Sequence, residues 1–439
     1  MATAPSLTLQ PIQTKAEEQR WLDFPRELYT QDPNWISHLD MEVRNVFSPK
    51  KNPFFEHGEA IRFLALRDGR VVGRIAAFIN AKKAAKFDVP TGGTGFFEAI
   101  NDQAVAFALF DAAREWLTER GMEAMDGPIN FGENDRFWGL LIDGFSPPGY
   151  GMPYNPPYYQ AFFEDYGFGL YFSQVSKHLM LDKPDIFPER FLRINQWIKE
   201  KGHVTTEPAR RKSIKKYAQD FLTIYNDAWQ FHENFTPMSE AQVMTMIKQL
   251  NQVLIEELAI FSYVDGEPAG FVVALPDLNQ IFRPWNGKIN LLEGLKFMWR
   301  KRNQYAWYRK RGILTRARVV IMGVRPRFQK FGVETAMVVD PVEPVRAMGF
   351  KEIELSWVGD FNPKMRAVLD ATGAEYAKTH HTYRYYFSEE KREEQRRSSI
   401  IPLGQSSKNG QQLQDATAAA SPDAIHSPDG LSESKESAS

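Results

Sequence analysis

The 439-residue sequence contains no cysteine. That excludes disulfides, thiolate nucleophiles and cysteine-ligated zinc, and it agrees with a reducing compartment. Net charge is also nearly absent: 54 Lys and Arg against 55 Asp and Glu leave -1. No overall field draws the chain to nucleic acid or to an anionic surface, so such a partner must be met by a local patch. No apolar run approaches the roughly 18 residues of a spanning helix. The opening "MATAPSLTLQPIQTKAEEQRW" lacks a basic segment followed by an apolar core, so no secretory signal is expected. These absences predict a cytoplasmic protein. Residues 388–439 hold no aromatic side chain and are rich in Ser, Ala, Gln and charge. Too little apolar surface is there to offset the entropy of ordering, which predicts a disordered tail.

The remainder is globular in composition, 43% hydrophobic and 25% charged over the whole chain, and long enough for two domains. It repeats itself weakly. "FLALRDGRVVGRIAAFI" from Phe63 and "IFSYVDGEPAGFVVAL" from Ile260 each place Asp-Gly between two apolar runs. Both turn positions tolerate positive φ, so each reads as a hairpin. "NPPYYQAFFEDYGF" from Asn155 and "NPKMRAVLDATGA" from Asn362 each read as an Asn-Pro helix start and a glycine stop. The two pairs recur at nearly equal offsets, which suggests a duplicated unit. Helical spacing of Val105, Leu109, Ala112 and Trp116 predicts a helix over 102–120. Tyr217, Phe221, Ile224, Tyr225 and Ala228 predict another over 214–229. Thr382–Phe387 reads as a strand. The expected fold class is α/β, with a mixed central sheet flanked by helices in each half. The expected boundaries are 1–185, 186–387 and the tail 388–439.

One turn stands apart. A strand ending at Val324 leaves through "VRPRFQKFGVETAM" into a helix that begins near Gly332. The first turn of a helix has about four unpaired N–H groups and the positive end of the dipole, a ready anion site. Arg325, Arg327, Gln329 and Lys330 add side-chain donors. In the first half the equivalent helix starts at Asn101 or Asp102 with no glycine, so its own carboxylate is expected to fill the orphan donors. Only one anion site is therefore expected. Pro341 and Pro344 should end or bend the second-half helix near Asp340.

Strand, Val-x-Pro, Gln329, Gly332 and helix together resemble the GNAT acyltransferase signature. Glu334 departs from it, standing where Gly or Ala is usual. "ELSWVGDFNPKM" resembles the following GNAT segment. The resemblance implies two GNAT-like domains with acyl-CoA or acetyl-CoA as co-substrate and no metal. It implies a cofactor site of Gly323, Val324, Arg325, Arg327, Gln329, Lys330, Phe331, Gly332, Val333, Glu334 and Thr335, with Asn362 on the pantetheine arm. The Gly323–Val324 backbone would hold the oxyanion. Many family members carry a tyrosine acid four residues before the position of Gly373, and here that residue is Leu369.

Candidate catalytic groups lie in the first half. "NFGENDRFWGLLIDGF" packs Glu133, Asn134 and Asp135 between apolar segments, as a cleft lining or as a solvated turn. His57, in "FFEHGE", has the pKa of a base, or it is structural beside two phenylalanines. The adjacent His380 and His381 point to opposite faces of a strand and do not suit one metal ion. An insertion over about 282–318 carries an apolar helical stripe, Ile289, Leu292 and Leu295, followed by many basic residues and interleaved Trp299, Trp307 and Tyr308. Peripheral contact of 288–318 with an anionic membrane at the inner face is one reading. A solvated basic face is another, and an RNA grip is disfavoured by the net charge. "NPFFEH", "GPINFGEND", "GLLIDGF" and "YNPPYY" resemble long tandem GNAT-like proteins related to bacterial ceramide synthase. That resemblance implies a fatty acyl-CoA donor and a sphingoid-type amine acceptor, with "PPGYGMPYNPPYY" walling a greasy pocket. Two rivals stay open: an aminoacyl-tRNA-dependent transferase, and a degenerate tandem GNAT that binds a ligand or acts as a scaffold. The sequence leaves the oligomeric state undetermined.

Overall fold

The computed structural model describes residues 6–85, 87–230, 237–250 and 253–400. The first half runs β1 (Leu7–Pro11), α1 (Lys15–Leu28), α2 (Asp40–Val46), β2 (Gly58–Arg67), β3 (Arg70–Asn80), α3 (Ala81–Ala84) and β4 (Thr91–Ala99). It continues through α4 (Gln103–Thr118), β5 (Ala124–Gly127), β6 (Leu140–Asp143), α5 (Tyr159–Tyr166) and β7 (Gly169–Met180). The second half opens with α6 (Glu189–Lys201), β8 (Val204–Pro208), α7 (Ile214–Trp229), α8 (Glu240–Leu250), β9 (Ala259–Val264) and β10 (Glu267–Pro276). Its insertion holds α9 (Asn279–Phe282), α10 (Leu291–Arg300) and α11 (Arg302–Arg309). Then come β11 (Arg316–Val324), α12 (Val333–Val339), α13 (Val342–Ala347), β12 (Glu352–Gly359), α14 (Pro363–Ala371) and β13 (Glu375–Tyr386).

Both hairpins form as the sequence requires. Asp68–Gly69 and Asp265–Gly266 all have positive φ, the geometry that matches strand twist in a two-residue loop. Asp102 caps α4, its carboxylate accepting from the N–H groups of Ala104 and Val105 and from Arg67. The first-half helix mouth is thus closed by its own side chain. Asn362 caps α14, and the helix after β11 breaks between Val339 and Val342, beside Pro341.

Among the described residues thirteen strands form one sheet, in the order β1-β2-β3-β4-β5-β13-β7-β12-β11-β10-β9-β8, with β6 on β13. Each half gives its last strand to the other. β7 of the first half lies antiparallel to β12, and β13 of the second half lies between β5 and β7. The strand expected over 382–387 begins earlier, at Glu375. Its start was hidden because the buried positions there are polar: Lys378 and His380 are fully enclosed. Lys378 is tolerated because Glu354 of β12 sits 3.2 Å away. Burial opposes the charge of Glu354, but Lys378, Arg316 and Arg318 outweigh it and hold the carboxyl at about 2. His178 and Glu352 lie within 4.8 Å of Glu354. With Lys378 and Arg316 beside it, this cluster is already neutralised as an internal ion network.

Chain contacts divide at Tyr386. The described part of the second unit, residues 386–400, holds α15 (Glu389–Ile400), within the segment whose composition predicted disorder. Its residues are strong helix formers with spaced charge pairs such as Arg397–Glu393 at 3.2 Å, which support a helix without a core. Residues 401–439 lie outside the described residues.

Candidate functional site

β11 and β12 run parallel from Arg316/Glu352 to Val319/Leu355. Beyond that point, among the described residues, β12 pairs only with β7, after an irregularity between Leu355 and Val358. β11 meanwhile stays paired with β10 through Val324. Among the described residues the β12-facing edge of Val320–Val324 therefore has no strand partner, and a seam opens in the sheet. Met322 and Val324 turn their main-chain groups to this edge, and Gly323 between them is paired with Phe271 of β10. A Cβ built there would fall 2.5 Å from the Trp229 ring, so glycine is required for the α7 tryptophan to lie flat on the strand. Trp229 in turn stacks on Tyr225, ring centroids 4.6 Å apart. The two stacked rings thus cover the sheet face over Gly323, beside the seam.

The first-half loop 132–135 reaches this region. Burial and then the charge of Glu133 push up the Tyr225 phenol. Burial lowers the Arg318 guanidinium, while Glu354 and Asp135 pull it back up. Arg318 sits at the last paired residues of β11 and donates to Ser356 Oγ at 2.5 Å and to the Tyr150 carbonyl at 3.2 Å. Glu133 also accepts from Lys83 at 3.1 Å, and Asn134 carries a buried Oδ1 with no partner among the described residues. This loop thus sets Glu133 in the field of Tyr225, the ring stacked beside Trp229, and Asp135 in the field of Arg318, five residues back along β11 from Gly323. His57 is not part of it. It is exposed at the end of the one-turn helix Pro53–Glu56, and among the described residues its ring has no partner.

The basic turn is less open than the sequence suggested. Arg325 is buried and paired with Asp227 at 2.6 Å and Glu267 at 3.1 Å, and Arg327 also pairs with Glu267. Local carboxylates thus answer both guanidinium groups. Gly332 does adopt φ +73°, but its would-be Cβ points at Ile198 of α6, 2.2 Å away. Glycine there serves helix packing as well as turn geometry. Val333 and Thr335 are buried in the core. Gln329, Lys330 and Phe331 are exposed and remain free to meet a ligand. Asn362 spends its Oδ1 on the Met365 N–H, leaving only its amide NH₂. Leu369 is buried in the core cluster of α14 and presents no acid.

Glu334 is half-buried, and burial pushes its carboxyl up to about 7. The folded state therefore favours the proton. Stability from this group is complete below pH 4.5 and is lost as pH rises through about 7. The loss amounts to at most about 3 kcal/mol. Urea unfolding of Glu334→Gln should be stabilised relative to wild type at pH 8 and indistinguishable from it at pH 4.5. An equal difference at both pH values would refute the assignment.

The aromatic-proline loop 147–159 packs inward rather than lying open. Asp277 accepts from the Tyr150 N–H at 2.8 Å, Arg316 and Asn279 donate to the Pro148 carbonyl, and Met152 and Tyr159 are fully buried. It borders a cavity of about 60 Å³ with His38, Arg74, Glu98 and Tyr154. That volume suits water, not an acyl chain. Arg318, Tyr225, Trp229 and Ser356 were not singled out from sequence as site residues. Trp229 was within reach, since it follows Tyr225 by one helical turn.

No family model matches the sequence. A protein named bacterial ceramide synthase, from Caulobacter vibrioides, is 33% identical over 391 residues, spanning 87% of this chain and 98% of the relative. Protein YghO from Escherichia coli is 30% identical over 375 residues, spanning 84% and 93%. Among solved structures, a tandem GNAT protein from the clavulanic acid biosynthesis pathway superposes with TM-score 0.51 over 87% of this chain and 99% of its own, at 14% identity. The last likeness speaks for the fold alone; the first two, nearly end to end, make this chain a member of the family that includes the bacterial ceramide synthase and YghO, built on the tandem GNAT fold.

Proposed function

We propose that this chain is an N-acyltransferase that takes its acyl group from acyl-CoA and delivers it to a lipid amine of sphingoid type. The opening of β11 from β12 after Val319/Leu355 carries this reading. The free edge presented by Met322 and Val324 is where a pantetheine arm can add as an extra strand. The acceptor class follows from the name of the 33% identical relative.

Bound acyl-CoA supplies the thioester: the amine forms a C–N bond at its carbonyl, the C–S bond breaks, and the amine's proton balances the departing thiolate. The chain's own tasks are three. The main-chain N–H of Val324, which faces the open edge, holds the oxyanion. Glu133 or Asp135 holds the ammonium proton, directly or through water. The unpartnered Asn134 Oδ1 accepts an N–H of the acceptor. Gln329, Lys330 and the main chain of Gly332–Glu334 meet the diphosphate, with Arg327 recruited from Glu267. His57 is given no step.

Because the protein has no cysteine, a thiol reagent reads released CoA without background. Purified protein given long-chain acyl-CoA and a sphingoid base should release CoA only when both are present. Release with acetyl-CoA should be slower. No release with any pairing would end the proposal, and CoA binding without turnover would favour a ligand-holding scaffold, in keeping with the buried Leu369.

A further inference from the structure

Amphipathic helices of folded domains turn their apolar stripe to the core; α10 does the reverse. Leu291, Leu292, Leu295, Met298 and Trp299 are between 54% and 79% exposed. At 3.6 residues per turn they share about a third of the helix circumference, so they form one outward stripe. The helix is docked by the opposite face, where Phe297 packs on Phe282 and Trp285, ring centroids 5.2 and 5.7 Å apart. Ile289, also exposed, extends the stripe at its start.

The surroundings are cationic. Lys288, Lys296, Arg300, Lys301 and Arg302 flank or follow the stripe, and Glu293 is the one acidic residue from 283 to 318. Lys310 and Arg311 are exposed just beyond. At the C-terminal end of the stripe lies a cavity of about 460 Å³, where Arg211, Lys301 and Arg302 stand beside Leu295, Met298 and Trp299. Its rear is shaped by Asn303, Gln304 and Tyr305, all at positive φ. Cations and apolar side chains on one cleft match a phosphate headgroup joined to an acyl chain.

We infer that α10 lies in the interface of an anionic phospholipid bilayer, with its stripe among the acyl chains and the cleft on a lipid phosphate. A second copy is a poorer occupant, since two such faces would set basic on basic. A nucleic acid would satisfy the cations and leave five large apolar side chains in water. No helix among the described residues is long and apolar enough to cross a membrane, so the contact is peripheral.

The test is flotation of the full chain with vesicles of phosphatidylcholine alone, or with a third of the lipid replaced by phosphatidylglycerol. Binding should be about tenfold or more stronger on the anionic vesicles and weaken with salt. Leu292→Glu with Leu295→Glu should lower it by a further factor of ten or more, at unchanged circular dichroism. Arg302→Glu with Lys310→Glu should remove the preference for the anionic lipid. Wild type that stays off both vesicles, or floats as well with the stripe replaced, overturns the inference. So does a wild-type dimer that the stripe variant makes monomeric. CoA release from a water-soluble acceptor is read separately, so failure here and failure of the acyl-transfer proposal are distinguishable.

Discussion

Replacing Arg384 by methionine is expected to cost the fold about 3–5 kcal/mol. Arg384 of β13 binds Asp126 of β5 through two hydrogen bonds, 2.6 and 2.8 Å. Both side chains are more than nine-tenths buried. Burial pushes the Asp126 carboxyl up, and the guanidinium pulls it back. Without the arginine only the first effect remains, and Asp126 must either stay charged in the dark or take a proton. The bond also joins a second-half strand to a first-half strand, so its loss strikes where the two halves exchange strands. Methionine retains part of the packing on Tyr171 and Phe87, whose rings lie 3.9 and 4.8 Å from the guanidinium. The measurement is the urea midpoint of Arg384→Met against Asp126→Leu/Arg384→Met. The double variant should recover much of the loss, because it buries no lone charge. A single variant within about 1 kcal/mol of wild type would show that the pair does not hold the exchange.

Gly323→Val should lower kcat/KM for acyl transfer by about a hundredfold or more, the scale of losing one oxyanion donor. The branched side chain has no room, since its Cβ alone would sit 2.5 and 2.8 Å from two Trp229 carbons. Either the ring leaves the strand or the strand shifts, and both spoil the edge on which the thioester would lie. The stability cost should be smaller, about 1–3 kcal/mol, as for ordinary overpacking. The split between a large kinetic loss and a modest shift in melting temperature is what identifies the seam. Activity within a factor of two of wild type, in a folded variant, would remove Gly323 and its neighbour from the site.

Several features were legible because they depend on neighbours in sequence. The two Asp-Gly turns, the Asp102 cap, the Gly167 and Gly373 stops and the break near Asp340 are local consequences of φ, capping and proline. α7 matches its expected span, 214–229, because one face repeats with the helical period. The site was legible only in pieces. Gly323 and Gly332 were visible as a strand-turn-helix pattern, and Glu133 to Asp135 as a polar run between apolar ones. That the loop of Glu133 comes near Tyr225 of α7 was not visible, since nothing local links residue 133 to residue 225. Nor could the sequence show that Arg325 and Arg327 are answered by Asp227 and Glu267, because a pairing partner is a matter of distance in space.

By itself, then, the sequence determined the turns, caps, periodic helices and duplicated order, and through them the α/β fold. Tertiary structure decided the exchange of β7 and β13. Main-chain hydrogen bonds between strands carry no address, so any edge of the right length and twist competes for a partner. It decided that Lys378 and His380 lie inside: the lysine charge is buried only where the distant Glu354 meets it, and burial keeps the imidazole neutral. It also decided that the leucines of α10 face outward, since period alone gives a stripe and only packing says which side of the helix the core takes.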